Sequence, residues 1–341
     1  MENSLNLRRI GDADVSALGF GCMNLSHAYG LPPDASRAAA ILRRAVELGV
    51  THFDTAALYG FGANESLIGE VLGPFRSRIH IASKCGMTAA DGKRAIDGRP
   101  ESLKRTLEDS LRRLRTDRID LYYLHRWDKK VPIEDSVGAL ADMVAQGKVG
   151  AIGLSEVSAL TLRRAHAVHP IAAVQSEYSL WSRNVEVAVL GETRRLGAAF
   201  VAFSPLARGY LTDSPPVPAL FTGADIRRGM PRFQEPNWSA NLRLRERLPL
   251  LAAAAGTTSA RLSLAWLLRQ GPHIIPIPGT SNIDHLQDNM GAASVGVPAD
   301  VLDQLGRLIN SNSVRGARYS AGIQAEIDTE EIPDSVTGPA P

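Results

Sequence analysis

Four side chains in the first 125 residues carry complementary proton chemistry: the carboxylate of Asp54, the phenol of Tyr59, the ammonium of Lys84 and the imidazole of His125. Asp54, Lys84 and His125 lie late in short apolar runs, THFDTA (51–56), IHIASKC (79–85) and IDLYYLH (119–125), and Tyr59 follows Asp54 by five residues. A lysine inside an apolar strand needs a partner, and Asp54 on the neighbouring run is the natural one. Held near Tyr59, Lys84 favours the tyrosinate and is expected to lower a phenol pKa that is ordinarily about 10. Charges roughly 4 Å apart at an effective dielectric of about 20 interact by about 4 kcal/mol, enough for that purpose. A phenol tuned this way is a general acid near neutral pH. His125 can hold a carbonyl oxygen beside it, so the set reads as carbonyl-reduction chemistry. Taken singly, each residue has a plainer reading, as a cap, an ion-pair partner or a satisfied core histidine.

What must position them is a repeated alternation of strand and helix. Besides the three runs above, LGFGCMN (18–24), VGAIGLS (149–155), AAVQSEY (172–178), AAFVAFSPL (198–206) and HIIPIPG (273–279) read as buried strands. The segments between them have helical periodicity. In 100–114, Leu103, Leu107, Leu111 and Leu114 form one stripe behind an N-terminal Pro100, a favoured first-turn residue. Helices near 36–48 and 134–146 stop at Gly49 and Gly147, and another near 258–270 ends before Gly271-Pro272. Eight apolar strands joined by helices predict parallel pairing and closure into an α/β (β/α)8 TIM barrel. Functional groups then gather on the rim where strands end. The domain expected is a single barrel over 1–315. A hairpin within 1–17, around Gly11-Asp12, would plug the other end. A long connection, 207–257, carries Pro215, Pro216, Pro218, Pro231 and Pro236 with little periodicity, and 316–341 reads as a surface tail.

Composition narrows the class. Thirty-eight basic and 36 acidic residues give a net charge of +2, which suggests neither a nucleic-acid nor a membrane partner. Two cysteines, Cys22 and Cys85, make no disulfide framework and fit a reducing compartment. With no run of 18 apolar residues and no apolar leader in MENSLNLRRIGDADV, the expected location is cytoplasmic. No His-x-His or other clustered ligand pattern supports a metal-assisted hydrolase built on Asp54 and His125, and no metal is expected. Cys85 reads first as a small buried filler and only second as a redox-sensitive thiol.

FDTAALYG (53–60), ASKCG (82–86), YYLHRWD (122–128), IGLSE (152–156), FSPLARGYL (203–211) and IPGTS (277–281) resemble, in order and spacing, the motifs of the aldo-keto reductase superfamily across nearly the whole chain. GLSE is similar to a bacterial and plant branch that includes pyridoxal and perakine reductases. The resemblance implies that Asp54, Tyr59, Lys84 and His125 form a catalytic tetrad reducing aldehydes or ketones with NADPH, NADH being the possible substitute. No G-x-G-x-x-G fingerprint is present, but the resembled family binds its cofactor extended across the rim.

By position in those motifs, Ser155 and Gln175 would hold the carboxamide and Phe203 would stack on the nicotinamide. Ser204, Pro205, Leu206 and Arg208 would lie along the pyrophosphate, with Gly21 and Met23 at the first strand's end. Gly279, Thr280, Ser281 and a helix beginning near Asn282 would hold the 2′-phosphate region, and Gln287 and Asn289 the adenine side. Two positions depart from the family's pattern. Glu156 replaces the usual carboxamide-binding Asn, and GTSNIDH lacks a Lys or Arg, leaving His285 as its cation with Arg208 as a possible helper. Pocket walls are expected from Tyr29, Leu58 and Trp127, and from Phe233 and Trp238 if the long connection closes over a ligand. Ordinary loop packing is the plain alternative for these aromatics. The functional alternative is a non-catalytic nicotinamide-binding subunit of the same fold.

Overall fold

The computed structural model describes residues 6–90 and 93–332. The chain opens with an antiparallel hairpin of β1 (Leu7–Ile10) and β2 (Ala13–Ser16). β3 (Phe20–Gly21), β4 (His52–Asp54) and β5 (His80–Cys85) follow, then a second hairpin of β6 (Met87–Ala90) and β7 (Lys93–Ile96). β8 (Ile119–Leu124), β9 (Val149–Ser155), β10 (Ile171–Glu177), β11 (Ala199–Phe203) and β12 (Ile274–Pro276) complete the strands. Setting the two hairpins aside, eight strands pair in parallel, each with its sequence neighbour, from β3 round to β12. This is the (β/α)8 arrangement.

The first and last of these strands meet at a seam. Gly19 N donates to Pro276 O at 2.9 Å and Gly21 N to Pro278 O at 3.4 Å. Side chains have no room there: a Cβ on Gly19 would lie 2.8 Å from the His52 ring, and one on Gly21 would lie 2.8 Å from Ile277 O.

Strand alternation sorts the core into two parts. Ala82, Leu121, Tyr123, Ala173, Val201 and Ile275 form the inner cluster, and Ile10 and Val15 from the first hairpin join it. That hairpin therefore fills the barrel at the N-terminal ends of the strands. Phe53, Ile81, Tyr122, Leu154 and Phe200 face outward against the helices, together with the buried stripe Leu103, Leu107, Leu111 and Leu114 of helix Pro100–Leu114. Helix Ala35–Glu47 is capped by Asp34, which accepts from Arg37 N at 2.8 Å.

Three segments differ from the sequence expectation. The hairpin at 87–96 was not foreseen. The 207–257 connection is not irregular throughout: it holds helices Asn237–Arg245 and Arg247–Ala254. Their signal is weak because polar groups do part of the packing. Asn241 Nδ2 donates to Arg315 O at 3.0 Å, and Arg245 Nε to Tyr210 O at 3.0 Å. Third, residues 316–332 are no loose surface tail, since Arg318, Tyr319, Ile327 and Thr329 are buried. The remainder of that segment, 333–341, lies outside the described residues. Among the described residues no helix is long and apolar enough to cross a membrane.

Candidate active site

The alternation that sends Ala82 inward also sends Lys84 inward, at the C-terminal end of β5. Asp54 closes β4 beside it, with Asp54 in register with Ala82. Lys84 Nζ donates to Asp54 Oδ1, to Thr55 O at 2.8 Å and to the Tyr59 hydroxyl oxygen at 3.2 Å. Gln175 Nε2, on the inward face of β10, donates to the second Asp54 oxygen at 2.7 Å. His125 follows β8, its N–H donating to Cys85 O at 2.8 Å, and its ring meets Tyr59 edge-on with centroids 5.8 Å apart. The four groups proposed from the sequence therefore converge on one rim.

Tyr59 is set by a turn that few sequences adopt. Gly60, Phe61 and Gly62 all have positive φ, at 56°, 52° and 93°. Asn64, just beyond, is fully buried and staples this turn to its neighbours. Its Oδ1 accepts from Thr55 Oγ1 at 2.6 Å, and its Nδ2 donates to Cys22 O and Ser26 Oγ at 2.9 and 2.7 Å. Glu65 accepts from Ser83 Oγ at 2.5 Å and from Arg113 Nε at 2.7 Å, fixing the strand beside Lys84. The sequence reading passed over both residues, although two polar side chains opening an apolar helix after a double-glycine turn are a usable signal.

The electrostatics correct one expectation. Burial raises the Tyr59 phenol above its ordinary value, and the opposing pull of Lys84 does not overcome it, so the hydroxyl keeps its proton. Burial works against the Lys84 ammonium, but Asp54 and Tyr59 outweigh it and hold the lysine charged. Burial pushes the His125 imidazole well below its ordinary value, with Lys84 and Arg126 adding to the effect, so His125 is neutral. Burial also pushes the Cys85 thiol up to about 12, which removes it as a nucleophile at neutral pH.

The carboxamide positions are less simple than expected. Ser155 Oγ accepts from Arg126 Nη1 at 3.2 Å, and Gln175 is committed to Asp54 as described. Glu156, at the position where the family's pattern has a carboxamide-binding Asn, has both oxygens occupied. Oε1 accepts from Glu177 N at 3.0 Å, and Oε2 accepts from Arg318 Nη2 at 2.6 Å and Thr329 Oγ1 at 3.0 Å. Arg208 is likewise spoken for. It donates to Glu177 at 2.7 Å, to the Tyr319 hydroxyl at 3.2 Å and to Ser204 Oγ at 3.3 Å. Burial opposes the Glu177 charge, but Arg208, Arg318 and Arg232 more than compensate and hold the carboxyl at about 2.

Phe203 ends β11 half-buried on the inward face, with Ser204, Pro205 and Leu206 directly after it. Gly279 presses on the first strand, where a Cβ would lie 2.4 Å from Gly21 O, and Met23 is half-buried two residues beyond Gly21. Thr280 Oγ1 accepts from Asn282 N at 3.1 Å, and Asn282 caps helix Ile283–Met290 through Asp284 N and His285 N at 2.7 and 3.3 Å. Ser281 is half-buried, His285 and Gln287 are exposed, and Asn289 is buried. The Gln287 amide, oriented by its neighbour, accepts from Arg44 Nη2 at 2.8 Å. Arg44, on the first helix, is thus a cation at this helix that the sequence reading did not find.

The aromatics divide. Phe233 and Trp238 stack on each other at 5.2 Å and pack with Trp181 and Tyr210, buried at 3% and 6% exposure. They pin the long connection to the barrel, so the plain packing reading replaces the pocket-wall one. Trp127 donates to Val131 O at 2.9 Å and lies under Arg164. Leu58 precedes Tyr59 half-buried, and Tyr29 lines a cavity of about 350 Å³ with Val217, Leu220 and Arg227. Among the described residues no cluster of His, Cys, Asp or Glu could hold a metal.

The C-terminal rim of a parallel β/α barrel thus gathers a phenol, an ammonium, a carboxylate and a neutral imidazole at one site. Residues 17–310 match the aldo/keto reductase family. A probable aldo-keto reductase 1 from Glycine max is 42% identical over 314 residues, spanning 91% of this chain and 90% of the relative. Among solved structures, the glycerol dehydrogenase of Gluconobacter oxydans is 27% identical with a TM-score of 0.82, covering 93% of this chain and 100% of its own. An aldo/keto reductase from Klebsiella pneumoniae, solved with NADP and acetate, is 27% identical with a TM-score of 0.70, covering 92% and 98%. The chain belongs to the aldo/keto reductase family and is an oxidoreductase of carbonyl compounds.

Proposed function

We propose that this protein reduces aldehydes or ketones to alcohols with NADPH, using Tyr59 as the general acid. The observation that carries the reading is the Lys84 ammonium, which touches both the Asp54 carboxylate and, at 3.2 Å, the Tyr59 hydroxyl. Neutral His125 and Tyr59 hold the carbonyl oxygen between them, and Tyr59 passes its proton to that oxygen. Lys84 then stabilises the tyrosinate that remains. Asp54 keeps the lysine charged, and Gln175 keeps Asp54 oriented. When bound, the dihydronicotinamide supplies the hydride to the carbonyl carbon.

The rim suits an extended dinucleotide. Glu156, Ser204, Ala207 and Arg208 all have positive φ although none is glycine, and strain of this kind clusters at ligand clamps. Phe203 offers a half-buried ring beyond the carboxamide positions Ser155 and Gln175, and Ser204 and Leu206 line the pyrophosphate path. Gly279, Thr280, Ser281 and the helix capped by Asn282 hold the adenosine end. There His285 and Arg44, the latter also paired with Glu47 at 3.0 Å, would face a 2′-phosphate, and Gln287 and Asn289 would flank the adenine.

Loss of NADPH absorbance with an aromatic aldehyde tests the activity. Tyr59→Phe is expected to abolish turnover while retaining cofactor binding by fluorescence titration; near-normal activity in that variant would refute the role. A clear catalytic advantage for NADH would overturn the cofactor preference.

A further inference from the structure

His27 has no part in the reaction as derived above, yet it packs against the same phenol as His125. Its ring centroid lies 5.4 Å from that of Tyr59, on a tilt of 50°, so two imidazoles flank the proton donor. The loop around it is built for placement. Ser26 is held by Asn64 Nδ2 at 2.7 Å, and His27 N donates to Met23 O at 3.2 Å. Ala28 is buried with a φ of 99°, a region that L side chains rarely adopt. The long connection clamps this strained residue, Ile226 N donating to Ala28 O at 3.0 Å. Strain that persists because its surroundings over-determine it marks a position where a side chain must be aimed.

The imidazole itself is unclaimed. Nδ1 is dry and has no hydrogen-bond partner, while the residue as a whole is only half-buried. Nε2, by contrast, is not among the buried unpartnered atoms, and it makes no hydrogen bond among the described residues. With no partner on Nδ1 to fix the tautomer, Nε2 can donate or accept. Burial lowers the imidazole below its ordinary value, so it is neutral at pH 7. A neutral ring of this kind suits a hydroxyl, which also does both. A carboxylate calls for a cation, and an alkyl group leaves the polar edge desolvated and unpaired.

We propose that His27 is a specificity-determining residue that hydrogen-bonds a hydroxyl on the carbon next to the substrate carbonyl, so that the enzyme selects α-hydroxy aldehydes and ketones over their deoxy counterparts. The inference rests on the carbonyl-reduction reading: with the carbonyl oxygen fixed between Tyr59 and His125, a substituent on the adjacent carbon falls toward the other imidazole on the same phenol.

The test compares kcat/KM for lactaldehyde and propanal, which differ by that hydroxyl alone, in wild type, His27→Phe and His27→Gln. His27→Phe keeps a ring against Tyr59 but removes both nitrogens. Wild type is expected to prefer lactaldehyde. In His27→Phe the lactaldehyde-to-propanal ratio is expected to fall about tenfold, chiefly through KM, as for the loss of one hydrogen bond. His27→Gln, which retains a donor and an acceptor, restores most of the ratio. An unchanged ratio in His27→Phe, or equal losses for both aldehydes, overturns the role of His27 while leaving carbonyl reduction standing. If wild type reduces neither these aldehydes nor an aromatic one, the underlying reading falls as well.

Discussion

Two groups of buried charge sit at the same end of the barrel and follow opposite plans. Around Lys84 there is one ammonium, one carboxylate and a phenol whose hydroxyl oxygen meets the ammonium at 3.2 Å. Around Glu177 there are two carboxylates, Glu156 and Glu177, and three guanidiniums, Arg208, Arg232 and Arg318. These groups are joined to one another and to backbone carbonyls such as Trp181 O, which accepts from Arg232 Nη1 at 2.5 Å. The second group ties the ends of β9 and β10 to the long connection and to the C-terminal segment. The first leaves a protonated hydroxyl at its margin. On the proposed reading, the network that serves chemistry keeps a hydroxyl available, whereas the network that braces the mouth pairs its carboxylates with guanidiniums.

The sharpest break of this contrast is Lys84→Met. Turnover is expected to fall at least about a thousandfold, the scale of a lost proton-transfer group. Asp54, buried without its cation, should cost about 3–5 kcal/mol in urea unfolding. Arg318→Met should carry a similar stability cost, because it strands Glu156 in the interior. Its kcat/KM should nonetheless fall far less than that of Lys84→Met, and equal losses of activity would erase the distinction between the two networks. Adding Glu156→Gln to Arg318→Met should recover much of the lost stability, since paired groups are not additive.

Acid titration separates both networks from a third pair. His52 Nδ1 and His80 Nδ1 lie 3.0 Å apart in the barrel wall. Burial lowers His80 to about 4, and burial with its partner takes His52 well below its ordinary value. Depressed imidazoles bind fewer protons folded than unfolded. Their contribution to stability is therefore intact above about pH 6.5 and is lost as pH falls toward 4, with a slope of up to about 1.4 kcal/mol per pH unit for each group. Glu177 stays ionised through that window at about 2. Denaturant melts across it should show the decline in wild type and a flatter curve when His80 is replaced. The smallest effect is expected at Arg44. Arg44→Ala should narrow the preference for NADPH over NADH by a few-fold, because a half-exposed charge contributes about 1 kcal/mol or less.

What the sequence disclosed follows from period and burial. Asp54, Lys84 and His125 were legible because each sits where an apolar run meets a loop, and a lysine there admits few explanations. The eight strands were legible because both of their faces are covered. The partners of Glu156 were not, since Arg318 and Thr329 lie far along the chain in a stretch whose Gly, Asp and Glu content reads as surface. Charged residues are rarely buried, so pattern reading places them outside by default. Phe233 and Trp238 misled for a related reason: an aromatic in a proline-rich loop looks the same whether it faces a ligand or Tyr210. His27 had no periodic context, and only the fold reveals that its loop ends against Tyr59.

The joint between the first and eighth parallel strands has a directional consequence. Pro276 and Pro278 have no N–H to give, so across this line both hydrogens come from Gly19 and Gly21. Breathing of the whole cylinder along that line is reported by two amides. In hydrogen–deuterium exchange, the rate at which Gly19 and Gly21 take up deuterium reads out how often the wall parts.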